Sequence, residues 1–243
     1  MDNAKILQLK KLIEEHDRIV FFGGAGVSTE SGIPDFRSEN GIFDAIRKFG
    51  ESPEVLLSHS FFMSHTEKFY EYYKSSLLVT DVKPNPAHYA LARLEQRGKL
   101  MTVVTQNIDG LHQKAGSKKV YELHGSIYRN HCMKCLKSFD AAAVKAMPGV
   151  PKCGCGGTIK PDVVLYEEPL DSATIDGALG AIAGADMLIV GGTSLAVYPA
   201  AGFINYFTGD ALTIINKGDT PYDGRFELSI NEPIGEVLSA AVE

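Results

Sequence analysis

Four cysteines, the only ones in the chain, stand in two close pairs: Cys132-Met133-Lys134-Cys135 and Cys153-Gly154-Cys155, with 17 residues between the pairs. Four thiolates so grouped suit one tetrahedral Zn2+ ion. A full set of four leaves no open coordination position, so such a site would be structural rather than catalytic. The second pair is tighter than C-x-x-C, and Gly154, Gly156 and Gly157 give the backbone the freedom that tight turn needs. Two disulfides are the rival arrangement, which a reducing compartment disfavours. A second set of reactive types follows an apolar run: Gln106-Asn107-Ile108-Asp109-Gly110-Leu111-His112 comes directly after 100–105. Two amides and a carboxylate at the end of a strand are placed for a polar ligand, whereas capping of the next helix would explain one of the three. His124-Gly125 ends another short apolar run, 120–123. An imidazole there can act as a general base near neutral pH; the plainer alternative is a satisfied structural histidine.

The third set is Gly23 to Ser38, GGAGVSTESGIPDFRS, after Arg18-Ile19-Val20-Phe21-Phe22, a short apolar run with the make-up of a buried strand. Gly23, Gly24 and Gly26 let the backbone turn sharply and approach a ligand. Ser28 and Thr29 can cap a following helix whose first N–H groups would face a phosphate. Thr29 breaks the G-x-G-x-x-G dinucleotide pattern, which wants Gly or Ala there. Simple chain reversal is the competing reading. Pro34-Asp35-Phe36-Arg37 then reads as a loop folded over something.

These groups need a scaffold to hold them. The chain has 243 residues, 44% hydrophobic and 22% charged, which suits one α/β domain with a small insert and excludes a disordered chain. No apolar run is long enough to span a bilayer, and 1–5 lack the apolar core of a signal peptide, so a cytosolic protein is expected. The net charge of −6 argues against a general nucleic-acid binder and slightly favours basic peptides. Ile6, Leu9, Leu12 and Ile13 recur at helical spacing, predicting a helix over 4–16. Residues 40–80 read as helical and aromatic-rich, a small layer with its own apolar face; an aromatic cofactor box or a lid over the nucleotide are the alternatives. Asn85-Pro86 opens another helix, through Gly98. Strands are expected at 100–105, 120–123, 163–166, 185–190 and 212–215, and a last helix at 233–242. Gly191-Gly192-Thr193-Ser194 makes a second Gly-rich strand end. Asn216 ends a late strand, where a ribose hydroxyl is bound in dinucleotide folds.

Taken together, GAGVSTESGIPDFRS, TQNIDGLH, His124-Gly125, the two cysteine pairs, KPDVVLYEE and GTSLAVYPA resemble, in that order, the sirtuins, the NAD-dependent protein deacylases, and most of all a compact bacterial sirtuin core. The resemblance covers nearly the whole chain. It implies an α/β fold: a Rossmann-like parallel sheet with helices on both faces, plus a small domain formed by a helical insert and a zinc-binding insert. The division expected is 1–38, 81–127 and 160–243 for the NAD-binding domain, 39–80 for the helical insert and 128–159 for the zinc insert.

The resemblance also assigns roles. Gly24, Ala25, Gly26, Thr29, Asp35, Phe36 and Arg37 lie on the cofactor loop. Gln106, Asn107, Ile108 and Asp109 surround the nicotinamide ribose and carboxamide, with His124 as general base and Asn107 and Asp109 as further catalytic groups. Gly192, Thr193, Ser194, Asn216 and Ile234 hold the adenosine side. Val164, Leu165 and Val197 border an acyl-lysine channel. Cys132, Cys135, Cys153 and Cys155 hold one structural Zn2+. The implied reaction is not redox: the acyl oxygen of an acylated lysine attacks the nicotinamide ribose, nicotinamide leaves, and lysine and O-acyl-ADP-ribose result. Mono-ADP-ribosyl transfer and a non-catalytic NAD sensor or zinc-ribbon interaction module are the alternatives. A dehydrogenase is disfavoured by Thr29 and Asn216, and Lys217 leaves NADP open beside NAD. The expected partners are acyl-lysine proteins or peptides, with no nucleic acid and no membrane. Two departures stand out beside the tight C-x-C pair. Tyr166-Glu167-Glu168 stands where the family often has Phe-Gly-Glu, placing a carboxylate near the substrate strand. Asp44 stands three residues before Arg47, where succinyl-preferring members carry a Tyr.

Overall fold

The structure is a computed structural model, and it describes residues 2–35, 39–218 and 220–242. Phe36 and Arg37, two of the expected cofactor-loop residues, lie outside them. The first helix, α1 (Asn3–Glu15), is capped by the Asp2 carboxylate, which accepts from the backbone N–H groups of Ala4 and Lys5. It buries the predicted face of Ile6, Leu9, Leu12 and Ile13. The main sheet has six strands: β1 (Ile19–Gly23), β2 (Leu100–Thr105), β3 (Val120–Glu122), β7 (Met187–Gly191), β8 (Ala211–Ile215) and β9 (Leu228–Ile230). All neighbours run parallel, in the order β3-β2-β1-β7-β8-β9. Counted within this sheet alone, that is the 3-2-1-4-5-6 order of dinucleotide-binding folds, with the switch of direction between β1 and β7.

The central strands are buried on both faces, which their unbroken apolar sequences require. Ile19, Phe21, Val103 and Ile189 face a core shared with α1, α6 (Pro86–Gln96) and α10 (Ile234–Val242). Val20, Phe22, Val104, Leu188 and Val190 face the opposite layer, built from α9 (Ser172–Ala183) and the 3-10 segment 200–206. Alternate residues of one strand thus feed two cores. The Asn85 side chain caps α6 at the backbone N–H of Ala87, and the helix ends at Gln96, two residues short of the expected end. Gly98, at φ 75°, reverses the chain. The short β9 and the helix α9 carry little local signal in the sequence: the first has three residues, and α9 carries two glycines that weaken its helical pattern.

A second, antiparallel sheet has the order β5-β4-β6, from β4 (Gly125–Cys132), β5 (Ser138–Phe139) and β6 (Ile159–Val163). The expected strand over 163–166 is therefore corrected. The pairing ends at Val163, and the chain then leaves the sheet to meet the helices of 39–77. Those helices are α2 (Glu39–Phe49), α3 (Pro53–Leu56), α4 (His59–Ser64) and α5 (Thr66–Tyr72), the last running into a π-turn. Their aromatics form a core, not an aromatic cofactor box. Phe62, Phe69, Tyr70 and Tyr73 pack edge-to-face or stacked at ring-centroid distances of 4.9–6.2 Å. The same cluster takes in Ile127, Cys132, Val144, Ile159 and Leu165, so the helical and cysteine-bearing segments share one core. The Tyr70 hydroxyl donates to the carbonyl of Ile159, joining them further.

Candidate active site

The carboxyl ends of β1 and β7 meet at the switch point, and there the glycines act first on each other. The N–H of Gly24 donates to Gly191 O at 3.2 Å and that of Gly26 to Gly192 O at 2.8 Å. A Cβ on Gly24 would lie 2.8 Å from the Thr193 side chain, and one on Gly26 2.8 Å from Gly192 Cα. Only glycine lets the two loops close to this distance. The expected capped helix after the turn is absent. Two 3-10 turns, 25–27 and 29–31, take its place, and Gly32 in the left-handed region, followed by Pro34, stops further winding. Ser28 caps nothing. Its hydroxyl donates instead to Asp109 Oδ2 at 2.7 Å, while Asn107 Nδ2 donates to Ser28 Oγ at 3.1 Å. Ser28 thus serves the cavity and not the expected cap; only its nearness to Asp109 in the fold, not in the chain, reveals it.

Asp109 is 8% exposed. Burial pushes its carboxyl up from the ordinary value, against the lowering effect of the Ser28 hydroxyl and the Leu111 N–H. That second bond, 2.9 Å to Oδ1, satisfies the first N–H of α7 (Leu111–Ala115), so the start of the helix and the site contact fall on the same carboxylate. Gln106 Nε2 reaches Thr193 Oγ1 at 3.2 Å, tying the end of β2 to the end of β7. His124 follows β3 and places Nδ1 2.8 Å from the carbonyl oxygen of Gln106. A carbonyl can only accept, so Nδ1 carries the proton and, in the neutral ring, Nε2 carries the lone pair. The carbonyl of His124 accepts from Val164 N–H at 3.0 Å, which draws the chain leaving β6 alongside it.

These groups surround one cavity of about 260 Å3. Ala25, Asp35, Gln106, Asn107, Ile108, Asp109 and His124 line it together with Val164, Leu165 and Val197, so seven of the expected cofactor residues share one space with the expected acyl-lysine residues. Pro53, Leu57, Leu77 and Val79 from the helical layer complete its wall. Nothing local in the sequence marks these four, because their exposure to the cavity depends on how the layer docks. Gly192, Thr193 and Asn216 lie beyond, at the ends of β7 and β8. The Asn216 side chain donates to Gly218 O at 2.8 Å. Thr29 is exposed and donates to Gly26 O, and Ser194 is exposed. Ile234 is buried in the core under Gly191 at the start of α10. The Glu167 carboxylate turns toward Ser60 in the helical layer, 2.9 Å from its backbone nitrogen and 2.6 Å from its hydroxyl.

The four cysteine Sγ atoms lie within 4.8 Å of one another, with Cys132 to Cys155 at 3.4 Å and Cys135 to Cys153 at 3.7 Å. None is disulfide-bonded. Sulfurs about 2.3 Å from a common tetrahedral centre would stand nearly 4 Å apart, so the cluster is compatible with one structural zinc ion.

Residues 24–199 match the family model described as the Sir2 family. The chain belongs to the Sir2 family. A relative from Clostridium acetobutylicum, named an NAD-dependent protein deacetylase, is 59% identical over 240 residues, 98% of each chain. Among solved structures, a Sir2 homolog–NAD complex superimposes with a TM-score of 0.88 at 37% identity, over 97% of this chain and 92% of that one. A Sir2 protein with a deacetylated peptide and 3'-O-acetyl-ADP-ribose does so with a TM-score of 0.88 at 36% identity, over 98% of this chain and 99% of that one. The match to Sir2 structures therefore covers 97–98% of the chain.

Proposed function

We propose that this Sir2-family chain is an NAD-dependent protein-lysine deacetylase that consumes one water and releases nicotinamide, lysine and O-acetyl-ADP-ribose, with His124 as general base. The observation that carries the reading is the 2.8 Å contact of His124 Nδ1 with the Gln106 carbonyl. It sits in a cavity that also holds a buried carboxylate and an apolar wall. NAD fits the crevice between β1 and β7, where glycine backbones and the strand order make a dinucleotide site. It supplies the electrophilic sugar carbon and the nicotinamide leaving group. The residues then divide the work. Ala25, Asp35, Gln106, Asn107, Ile108 and Asp109 bind and orient the nicotinamide half, and Asp109, held by Ser28, aligns the carboxamide. Gly24, Gly26, Thr29, Gly192, Thr193, Ser194, Asn216 and the segment at Ile234 serve the adenosine side. Val164, Leu165 and Val197 flank the aliphatic stem of the acyl-lysine. His124 Nε2 takes a proton from a ribose hydroxyl, a task suited to an imidazole near neutral pH.

The zinc ligands are Cys132, Cys135, Cys153 and Cys155, and the metal staples their segment. We assign 1–38, 81–127 and 160–243 to nucleotide binding, and 39–80 and 128–159 to the small domain, whose sheet runs a few residues past both limits, since β4 starts at Gly125 and β6 ends at Val163. The protein acts in the cytoplasm on acyl-lysine proteins and does not need nucleic acid; no helix among the described residues is long and apolar enough to cross a membrane.

Mass spectrometry of an acetyl-lysine peptide incubated with NAD tests the reading. The expected result is loss of the acetyl group with formation of O-acetyl-ADP-ribose. Transfer of ADP-ribose to the peptide would favour the transferase alternative, and no NAD consumption would favour a sensor. His124→Ala should retain NAD binding and lose roughly 10²-fold or more in turnover. Near-normal turnover in that variant removes His124 from the mechanism.

A further inference from the structure

Glu167 has a left-handed backbone, with φ 76°. A residue with a Cβ is disfavoured there, and such strain persists where the surroundings over-determine it. The surroundings are specific. Glu167 Oε2 accepts from the backbone N–H of Ser60 at 2.9 Å and from its hydroxyl at 2.6 Å. Beside it, Tyr166 N donates to Leu57 O and His59 N to Tyr166 O, both at 2.9 Å. Glu168 takes His59 Nδ1 at 2.9 Å, Lys160 Nζ at 3.0 Å and Leu165 N at 2.9 Å. The Ser60 hydroxyl, then the Ser60 N–H, hold the Glu167 carboxyl below its usual range.

The two segments so laced both line the cavity, Leu57 from one and Val164, Leu165 and Glu167 from the other. Residues 164–168 have left the small sheet, so no strand ladder fixes them. Their placement rests on His124 O at one end, on Leu57–Ser60 at the other, and on Glu168, which accepts from Lys160 of β6 and from Leu165 N. We propose that Glu167 is a positioning residue: by clamping 164–168 to Ser60 it sets the substrate-side wall of the cavity, and with it the affinity for the acyl-lysine peptide. This rests on the reading of the cavity as an acyl-lysine site. The carboxylate acts through Ser60 and not by pairing with charges on the peptide.

Steady-state kinetics with an acetyl-lysine peptide and NAD test it on wild type, Glu167→Gly and Glu167→Gln. Glycine accepts the backbone angle but lacks the clamp; glutamine keeps an oxygen acceptor without the charge. Glu167→Gly should raise the peptide KM roughly fivefold while kcat, the NAD KM and Tm stay within about twofold or a few degrees, the pattern of lost substrate binding alone. Glu167→Gln should restore the peptide KM, and adding Ser60→Ala to Glu167→Gly should cost nothing more. An unchanged peptide KM in Glu167→Gly overturns the proposal. So does a Gln variant as weak as the Gly variant, which would put the effect on charge. A parallel loss of Tm and of every kinetic constant also overturns it, since the role would then be general stability. Amide hydrogen exchange gives a readout independent of turnover: the Ser60 and Tyr166 amides should exchange faster in Glu167→Gly than in wild type. Faster exchange in a protein that never deacylates the peptide would sink the functional reading and leave the clamp standing. Unchanged exchange sinks the clamp itself.

Discussion

Replacing Gly26 by alanine perturbs the crevice at its tightest point. The added Cβ would lie 2.8, 2.9 and 3.0 Å from the Cα, O and C atoms of Gly192. Carbon–carbon contacts are comfortable at about 3.5–4.0 Å, so each is short by several tenths of an ångström or more. The neighbours are backbone, and they cannot rotate away. Gly192 itself sits at φ 58°, and a Cβ there would lie 2.3 Å from Val27 N, so the facing loop is pinned too. The loops must part, which weakens the 2.8 Å bond from Gly26 N to Gly192 O. Overpacking costs roughly 1–3 kcal/mol and the lost hydrogen bond about 1 more. Against this, the smaller unfolded-state entropy of alanine gives back only about 0.4–1 kcal/mol. The clash wins by about 1–3 kcal/mol, which for a chain of this size lowers Tm by roughly 2–12 °C. Gly180→Ala is the control. It lies inside α9, where a Cβ meets nothing within 4 Å, and it should raise Tm slightly. Thermal unfolding reads both variants, and calorimetric titration should show weaker NAD binding for Gly26→Ala. A Gly26→Ala protein with wild-type Tm and NAD affinity would refute the close approach of the two strand ends.

Freshly purified, reduced protein should carry about one zinc per chain, and Cys153→Ala should lose the metal and destabilise the segment it staples; elemental analysis without zinc counts against the site. Stability should fall on the acid side. His88 and His112 are buried ring against ring at 4.7 Å, and burial lowers His88 to about 4 and His112 well below its usual value. Both folded values lie below the unfolded one, so their contribution is full above about pH 6.5. It is lost as pH falls from there toward 4, at up to about 1.4 kcal/mol per unit per histidine. Urea midpoints that stay level between about pH 7 and 5 would contradict this. Acetyl-lysine should be deacylated far faster than succinyl-lysine in direct competition. Among the described residues the cavity is lined by no lysine or arginine, and Arg47 is exposed and paired with Asp44 at 3.3 Å. A succinyl carboxylate would be buried without a partner, a cost of several kcal/mol; equal rates would dispose of the argument.

Much of this protein is legible in one dimension. The spacing of Ile6, Leu9, Leu12 and Ile13, the apolar runs at 18–22 and 100–105, and the two cysteine pairs each report local physics: helical periodicity, burial on both faces, thiolate number. Strand ends also point at chemistry, because in a parallel sheet the carboxyl ends gather at one edge, and Gln106, Asp109, His124 and Thr193 all sit there. What the chain order could not supply is anything set by pairs distant in sequence. Ser28 looked like a cap because capping is the local use of serine; its partner Asp109 lies 81 residues away. Residues 163–166 looked like a strand because they are apolar and β-branched, yet pairing stops at Val163 where Leu57 and Ser60 offer the next segment better partners. Glycines 24 and 26 suggested room for a ligand, and their first use is to let two loops touch. Burial, hydrogen-bond partners and the shape of the cavity are properties of the packed assembly of segments, so they exist only once the sheet has brought β1, β2 and β7 side by side.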